Sequence, residues 1–300
     1  MGDVLFEVVL PVLLVAAAGG IVGKRLAFST ETLSKAVFYL FSPCLVFTSI
    51  ADIQLSGGDI GRLIAVAVGV FAVNAIVASI WSSARHSDRA TRASAVLAAC
   101  VVNQGNMGLP MARLAFGEAG LAIAVVMFVT GVVLWSSAGI ALGAWARGTH
   151  SGWRVALAPL LYPSIYAAAL GAFVNIANID LPTLFRESTV TLADASIPCM
   201  LVVLGLQFRR PRLDDLTEPL ATSVNRLLIG PLAAWPLAAL VGLEGIPART
   251  SIMMAGMPTA VMTTILATEL DARPELAVRN VVVTTILSIA SLTVLITLLR

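Results

Sequence analysis

Uncharged apolar runs of about 20 residues recur along the whole of this chain, and they leave it one broad architecture. A run of that length crosses a bilayer as a helix, because lipid offers no partners to backbone N–H and C=O groups. Of 300 residues, 58% are hydrophobic and 12% charged, half the roughly 25% charge of a soluble domain. The strict alternation of an outer-membrane barrel is absent from the runs. The sequence therefore predicts an all-α polytopic membrane protein. Ten transmembrane helices are expected at roughly 4–22, 32–51, 60–82, 91–116, 119–143, 155–177, 188–206, 218–242, 248–270 and 275–298. Their short connections leave no soluble domain.

Lys and Arg fall unevenly between alternate loops. One set holds Lys24, Arg25, Arg85, Arg89, Arg92, Arg147, Arg154, Arg209, Arg210, Arg212, Arg273 and Arg279; the other holds Arg62, Arg186, Arg249 and Arg300. The positive-inside rule puts the first set in the cytoplasm and both termini outside. The net charge of +2 reflects these loops and gives no reason to expect a nucleic-acid partner. Asp3 and Glu7 precede the first apolar run where a secretory signal needs positive charge, so that run reads as a retained span. Cys44, Cys100 and Cys199 lie within spans as packing residues. His86 and His150 lie in loops, so no metal site or cofactor is expected.

Within the fourth run stands Asn103-Gln104-Gly105-Asn106-Met107-Gly108-Leu109-Pro110. These residues suit a lipid-facing helix poorly, and Pro110 cannot donate to the helical ladder. Backbone freed there must find partners inside the protein or in a wet cavity. The stretch is either a solute site or a kink whose amides join neighbouring helices.

A weak internal repeat of about 150 residues bears on that choice. Pro11–Gly19 resembles Pro163–Gly171, and Pro43-Cys44-Leu45 resembles Pro198-Cys199-Met200. Gly108-Leu109-Pro110 resembles Gly256-Met257-Pro258, and Leu121–Thr130 resembles Leu276–Thr285. Five spans per half is an odd number, so the second half enters the membrane inverted. The halves are expected at 1–147 and 148–300. The broken spans 4 and 9 should cross near the midplane at Pro110 and Pro258, aiming half-helix ends at the crossing. Such a pair of interruptions serves a carrier that exposes one site alternately to either side.

Asn103-x-x-Asn106-x-Gly108-Leu109-Pro110 with Phe116-Gly117-Glu118-x-Gly120 resembles the auxin efflux carrier family, which includes the PIN-type auxin carriers. Leu33-Ser34-Lys35, Ser42-Pro43, Ile197-Pro198, Leu204-Gly205 and Gly256-Met257-Pro258 extend the resemblance over the chain. It implies ten helices in two inverted five-helix repeats, with a more distant relation to sodium–bile acid symporters. Spans 1, 2, 6 and 7 would form a scaffold, and the others a moving transport domain. The substrates would be small organic anions, mono- or dicarboxylates and auxin-like acids, and the protein a homodimer. Asn103, seven residues before Pro110, matches an asparagine that touches the substrate carboxylate. Two departures stand out. Met262 falls where many relatives carry asparagine, and no acidic residue adjoins Pro258, which places sodium coupling in doubt.

The candidate substrate site comprises Asn103, Gln104, Asn106, Gly108, Pro110, Gly256, Pro258 and Thr263. Neutral donors and half-helix ends would hold a carboxylate there without a permanent countercharge. Asp194, four residues before Pro198, is a candidate proton carrier, or else an interfacial carboxylate. Arg113 is a candidate attractor of anions, or a residue snorkelling to the outer interface. Asn225 and Arg226 near the inner end of span 8 read as capping or snorkelling, as do Arg279 and Asn280. Asn74 reads as interhelical glue, and the tryptophans mostly as interfacial anchors. The expected function is secondary transport of organic anions across the cell membrane, not enzymatic turnover. The alternatives are a sodium-coupled symporter of the bile acid type and a membrane sensor that binds carboxylates without moving them.

Overall fold

A computed structural model describes residues 2–146, 153–207 and 215–300. Arg147, His150, Arg209, Arg210 and Arg212 lie outside the described residues. The described chain is helical, apart from one isolated two-residue bridge. Its main helices are α1 (Gly2–Arg25), α2 (Thr30–Ala51), α3 (Gly57–Ala84), α4 (Arg89–Cys100) and α5 (Leu109–Ala146). They continue with α6 (Pro163–Ile176), α7 (Thr183–Leu206), α8 (Thr217–Leu240), α9 (Gly245–Ala255), α10 (Met262–Glu269) and α11 (Pro274–Leu299).

Among the described residues, seven helices are long and apolar enough to cross a membrane. They become eight if α6 is joined to the helical turns 155–161, from which it bends by 81°. That bend departs from the single span expected at 155–177. Tyr162 is extended (φ −105°, ψ 116°) in front of Pro163, as the proline ring requires of its predecessor. The stretches 91–116 and 248–270 are not single helices either: each holds two shorter pieces separated by non-helical backbone.

Local sequence explains the helix limits. Ser29, Ser56 and Asp88 cap α2, α3 and α4, their side chains accepting the N–H of Thr32, Asp59 and Thr91. Helix α9 ends at Gly256 with Pro258 beyond it, a common stop arrangement. Within α5, Gly117 adopts φ 68°, ψ −160°, a region essentially closed to residues with a Cβ. It divides a short limb (109–116) from a long one (118–146). This accounts physically for glycine in the Phe116-Gly117-Glu118 motif.

Packing relies on small residues, as expected where lipid leaves helices to associate through close contact. Helix α1 lies on α7. A Cβ on Gly205 would fall 1.7 Å from the Ala16 carbonyl oxygen, and one on Gly19 2.7 Å from the Val202 Cα. Helix α2 packs on α6 and α7, with Gly171 against the Phe47 carbonyl. Helices α3, α5, α8, α9 and α11 form a second set of neighbours, and α4 touches α3, α5 and α11. Trp135 is buried rather than interfacial, its ring edge-on to Tyr162.

Arg300 donates to Glu7 at 3.1 Å and to the Leu114 carbonyl at 3.3 Å, so both chain ends lie at the same end of the bundle. The opposite end carries the ion pairs Asp88–Arg273 and Arg85–Glu218.

Candidate functional site

The two breaks meet. Val102 and Thr259 form an antiparallel bridge. The Asn103 N–H donates to the Pro258 carbonyl, and the Ala260 N–H to the Val101 carbonyl, both at 2.8 Å. Val101 and Val102 are β-branched and suit the extended backbone that pairing needs. Thr259 secures the junction on both sides. Its hydroxyl donates to the Ala98 carbonyl at 2.8 Å, and its N–H donates to the Thr284 hydroxyl on α11 at 3.2 Å. The backbone exposed by two broken helices is thus satisfied within the protein, as the membrane interior demands.

The first break sits earlier than the sequence suggests. Helical backbone is interrupted at 101–103, a π-helical turn follows over Gln104–Gly108, and Pro110 is the second residue of α5. A proline in the first helical turn gives up an N–H that has no intrahelical partner anyway. Pro110 therefore starts a helix rather than kinking one, whereas Pro258 lies within the second break and supplies its carbonyl. One-turn π segments concentrate at functional sites.

Arg226, on α8, is fully buried (0% exposed). Its guanidinium donates from Nη1 to the Ala99 carbonyl at 2.9 Å. From Nη2 it donates to the carbonyls of Ala255 at 2.9 Å and Met257 at 3.2 Å. Ala99 is in the last turn of α4, and Ala255 ends α9. One cation thus caps the C-terminal ends of two helices that stop inside the protein. Each such end carries roughly half a negative charge, so two of them balance one guanidinium. This corrects the snorkelling alternative and the absence of a permanent charge at the crossing; of the two readings, capping is the one the contacts match. The charge is present, directed at backbone carbonyls.

The other candidates are distributed as follows. Asn103 and Gln104 are buried, and Gln104 lies over Gly131 of α5, where a Cβ would meet its Oε1 at 2.3 Å. Asn106 is half-buried in the π turn, the segment that faces α7. Gly108 lies against Met254 and Met257, and Gly256 against Leu295. Pro110 and Pro258 are buried. Thr263, on α10, is buried with its hydroxyl unpaired. These eight surround the paired breaks. Met107, Met111, Met253, Met254 and Met257 are fully buried nearby, and methionine adapts to changes of packing.

Arg113 and Asp194 stand apart from that group. Arg113 pairs with Glu118 at 2.6 Å across the Gly117 kink. Asp194 is exposed halfway along α7 in the single chain.

Residues on neighbouring helices complete the site. Asn280 is fully buried with both amide atoms unpaired, one turn before Thr284. Asn74 and Asn225 are buried with unpaired Oδ1 atoms, and the Asn225 amide donates to the Asn74 carbonyl at 3.0 Å. The sequence signal for all of them was polar character inside an apolar span; for Asn225 and Asn280, nearness in sequence to a presumed helix end obscured it. A cavity of about 30 Å³, lined by Asn74, Cys100, Gln104 and Arg226 among others, lies beside the breaks. It has room for about one water. A larger cavity of about 590 Å³ separates α3, α4 and α8, running from Trp81 and Glu218 inward to Ala99 and Asn225.

The described chain is an all-helical membrane bundle with a polar, backbone-rich centre. A family model described as "Membrane transport protein" matches residues 4–151 and 151–296, so the chain belongs to that family, the family of the auxin efflux carriers. An uncharacterized transporter of Methanothermobacter thermautotrophicus is 28% identical over 298 residues, 95% of either chain. An uncharacterized transporter of Methanocaldococcus jannaschii is 25% identical over 295 residues, 94% of this chain and 95% of its own. A putative malonate transporter of Rhizobium meliloti is 25% identical over 279 residues, 89% of this chain and 86% of its own.

Proposed function

We propose that this chain is a secondary carrier of small carboxylates, working by alternating access at the paired breaks. The observation that carries the reading is the mutual pairing of Val101–Asn103 with Pro258–Ala260. It brings four half-helix ends to one buried place. The C-terminal pair is occupied by Arg226. The N-terminal ends, at the π turn and at α10, present positive dipole ends, which favour an anion. Asn103, Gln104, Asn106 and Thr263 would add neutral donors. The malonate named for one relative is a small dicarboxylate of this kind.

Counting each broken stretch as one span, α5 as divided at Gly117, and 155–176 as one bent span gives the ten-span reading. We assign 1–147 and 148–300 to two inverted five-helix repeats. Helices α1, α2, α6 and α7 would be the scaffold, and the remainder the transport domain. The cavity at the breaks is water-sized, so a carboxylate would enter only when the π turn moves relative to α7. The basic end of the bundle would face the cytoplasm, with both termini outside the cell membrane. Asp194 in the middle of α7 would be costly against lipid, and a second copy covering that face would make the homodimer.

The test is a thermal-shift screen of purified protein against malonate, other dicarboxylates and indole acetate. A ligand that binds only the folded state raises the melting temperature by mass action. The reading expects at least one carboxylate to do so, and no shift from any of them would remove it.

A further inference from the structure

We propose that Arg226 is a resident cation that takes the place of a coupling ion, making this carrier independent of sodium. The proposal rests on the carrier reading for its meaning in transport, but not for its test. Two helices end inside the bundle with their carbonyls converging. Such an arrangement demands positive charge, because each terminus carries roughly half a negative charge in a buried, weakly screened place. A mobile cation could meet the demand only while bound. The Arg226 guanidinium meets it permanently, tethered to α8.

The surroundings match a cation site whose occupant is covalently attached. Three carbonyl oxygens, those of Ala99, Ala255 and Met257, accept from the guanidinium. All other oxygens named here are neutral: the unpaired Oδ1 atoms belong to Asn74 and Asn225, and Asn74 lines the same small cavity as Arg226. Neutral oxygen donors are the ligand type hard cations prefer. No ion pair among the described residues involves Arg226, so its charge is met by backbone carbonyls and helix ends. The guanidinium also bridges α4, α8 and α9, so it holds the breaks together in every state that keeps its contacts.

The test exploits the vacancy left by removing the side chain. In Arg226→Ala the converging carbonyls lose their cation and gain a space. The melting temperature of purified wild type should be the same in sodium and in choline chloride at equal ionic strength. Arg226→Ala should melt lower in choline, and be restored several degrees by sodium or by millimolar guanidinium, saturably in each case. Arg226→Lys keeps a positive charge and should stay indifferent to sodium. A purely structural role predicts that Arg226→Ala is equally unstable in every salt, and that result would overturn the proposal. Wild type or Arg226→Lys that needs sodium would also overturn it, and both remain measurable if Arg226→Ala does not fold. None of these readings uses a carboxylate, so failure of the thermal-shift screen and failure here are separate outcomes.

Discussion

The N–H of Asn103 donates to the carbonyl of Pro258 at 2.8 Å, joining the first broken helix to the second across more than half the chain. This contact fixes the backbone of Asn103 independently of its side chain. Asn103→Ala should therefore leave the fold intact while removing a donor from the proposed carboxylate site. Hydrogen bonds to charged groups contribute about 1.5–3 kcal/mol, which corresponds to roughly a ten- to hundredfold weaker Kd for the carboxylate that stabilises wild type. Titrating the thermal shift of both proteins checks this, and equal affinities would exclude the Asn103 side chain from the site.

Gly205→Ala tests how α1 and α7 are held. The added Cβ would sit 1.7 Å from the Ala16 carbonyl oxygen, a contact with backbone that no side-chain rotation relieves. Overpacking of this kind costs about 1–3 kcal/mol, and the helices must also separate. The melting temperature should drop by several degrees, whereas Gly57→Ala, where a Cβ meets nothing within 4 Å, should leave it within a degree or two.

Asp88 offers a pH-dependent test at the opposite end of the bundle. The Thr91 N–H, the Thr91 hydroxyl and Arg273 hold its carboxyl down, from a usual 3.8 to about 2. A carboxylate depressed in the folded state contributes stability above its unfolded pKa, and that contribution fades as pH falls from about 4 to about 2. Asp88→Ala should cost about 1 kcal/mol near neutral pH through loss of the cap; the half-exposed pair with Arg273 adds little. Melting curves of the two proteins should converge as pH approaches 2.

The sequence disclosed the class of fold because bilayer thickness writes itself into run length, and it disclosed the polar stretch 103–110 because such residues are costly against lipid. It misplaced the break itself. Proline is the visible interrupter, yet Pro110 begins α5 while Val101 and Val102, unremarked β-branched residues, carry the extended backbone. Arg226 was visible as a charge near the end of an apolar run, where snorkelling is the ordinary explanation. Only the three-dimensional convergence of Ala99, Ala255 and Met257, which lie far from it in sequence, reveals what it faces. The depth of Asp194 along α7 is legible in the sequence, but the helix face it occupies depends on which neighbours pack where.

Counterflow in proteoliposomes tests the account most directly. Vesicles loaded with unlabelled malonate, or with the carboxylate that gives the largest thermal shift, should take up the labelled compound transiently above equilibrium, and empty vesicles should not. Binding of that carboxylate with no counterflow in protein-containing vesicles would contradict the carrier account and leave a membrane sensor in its place.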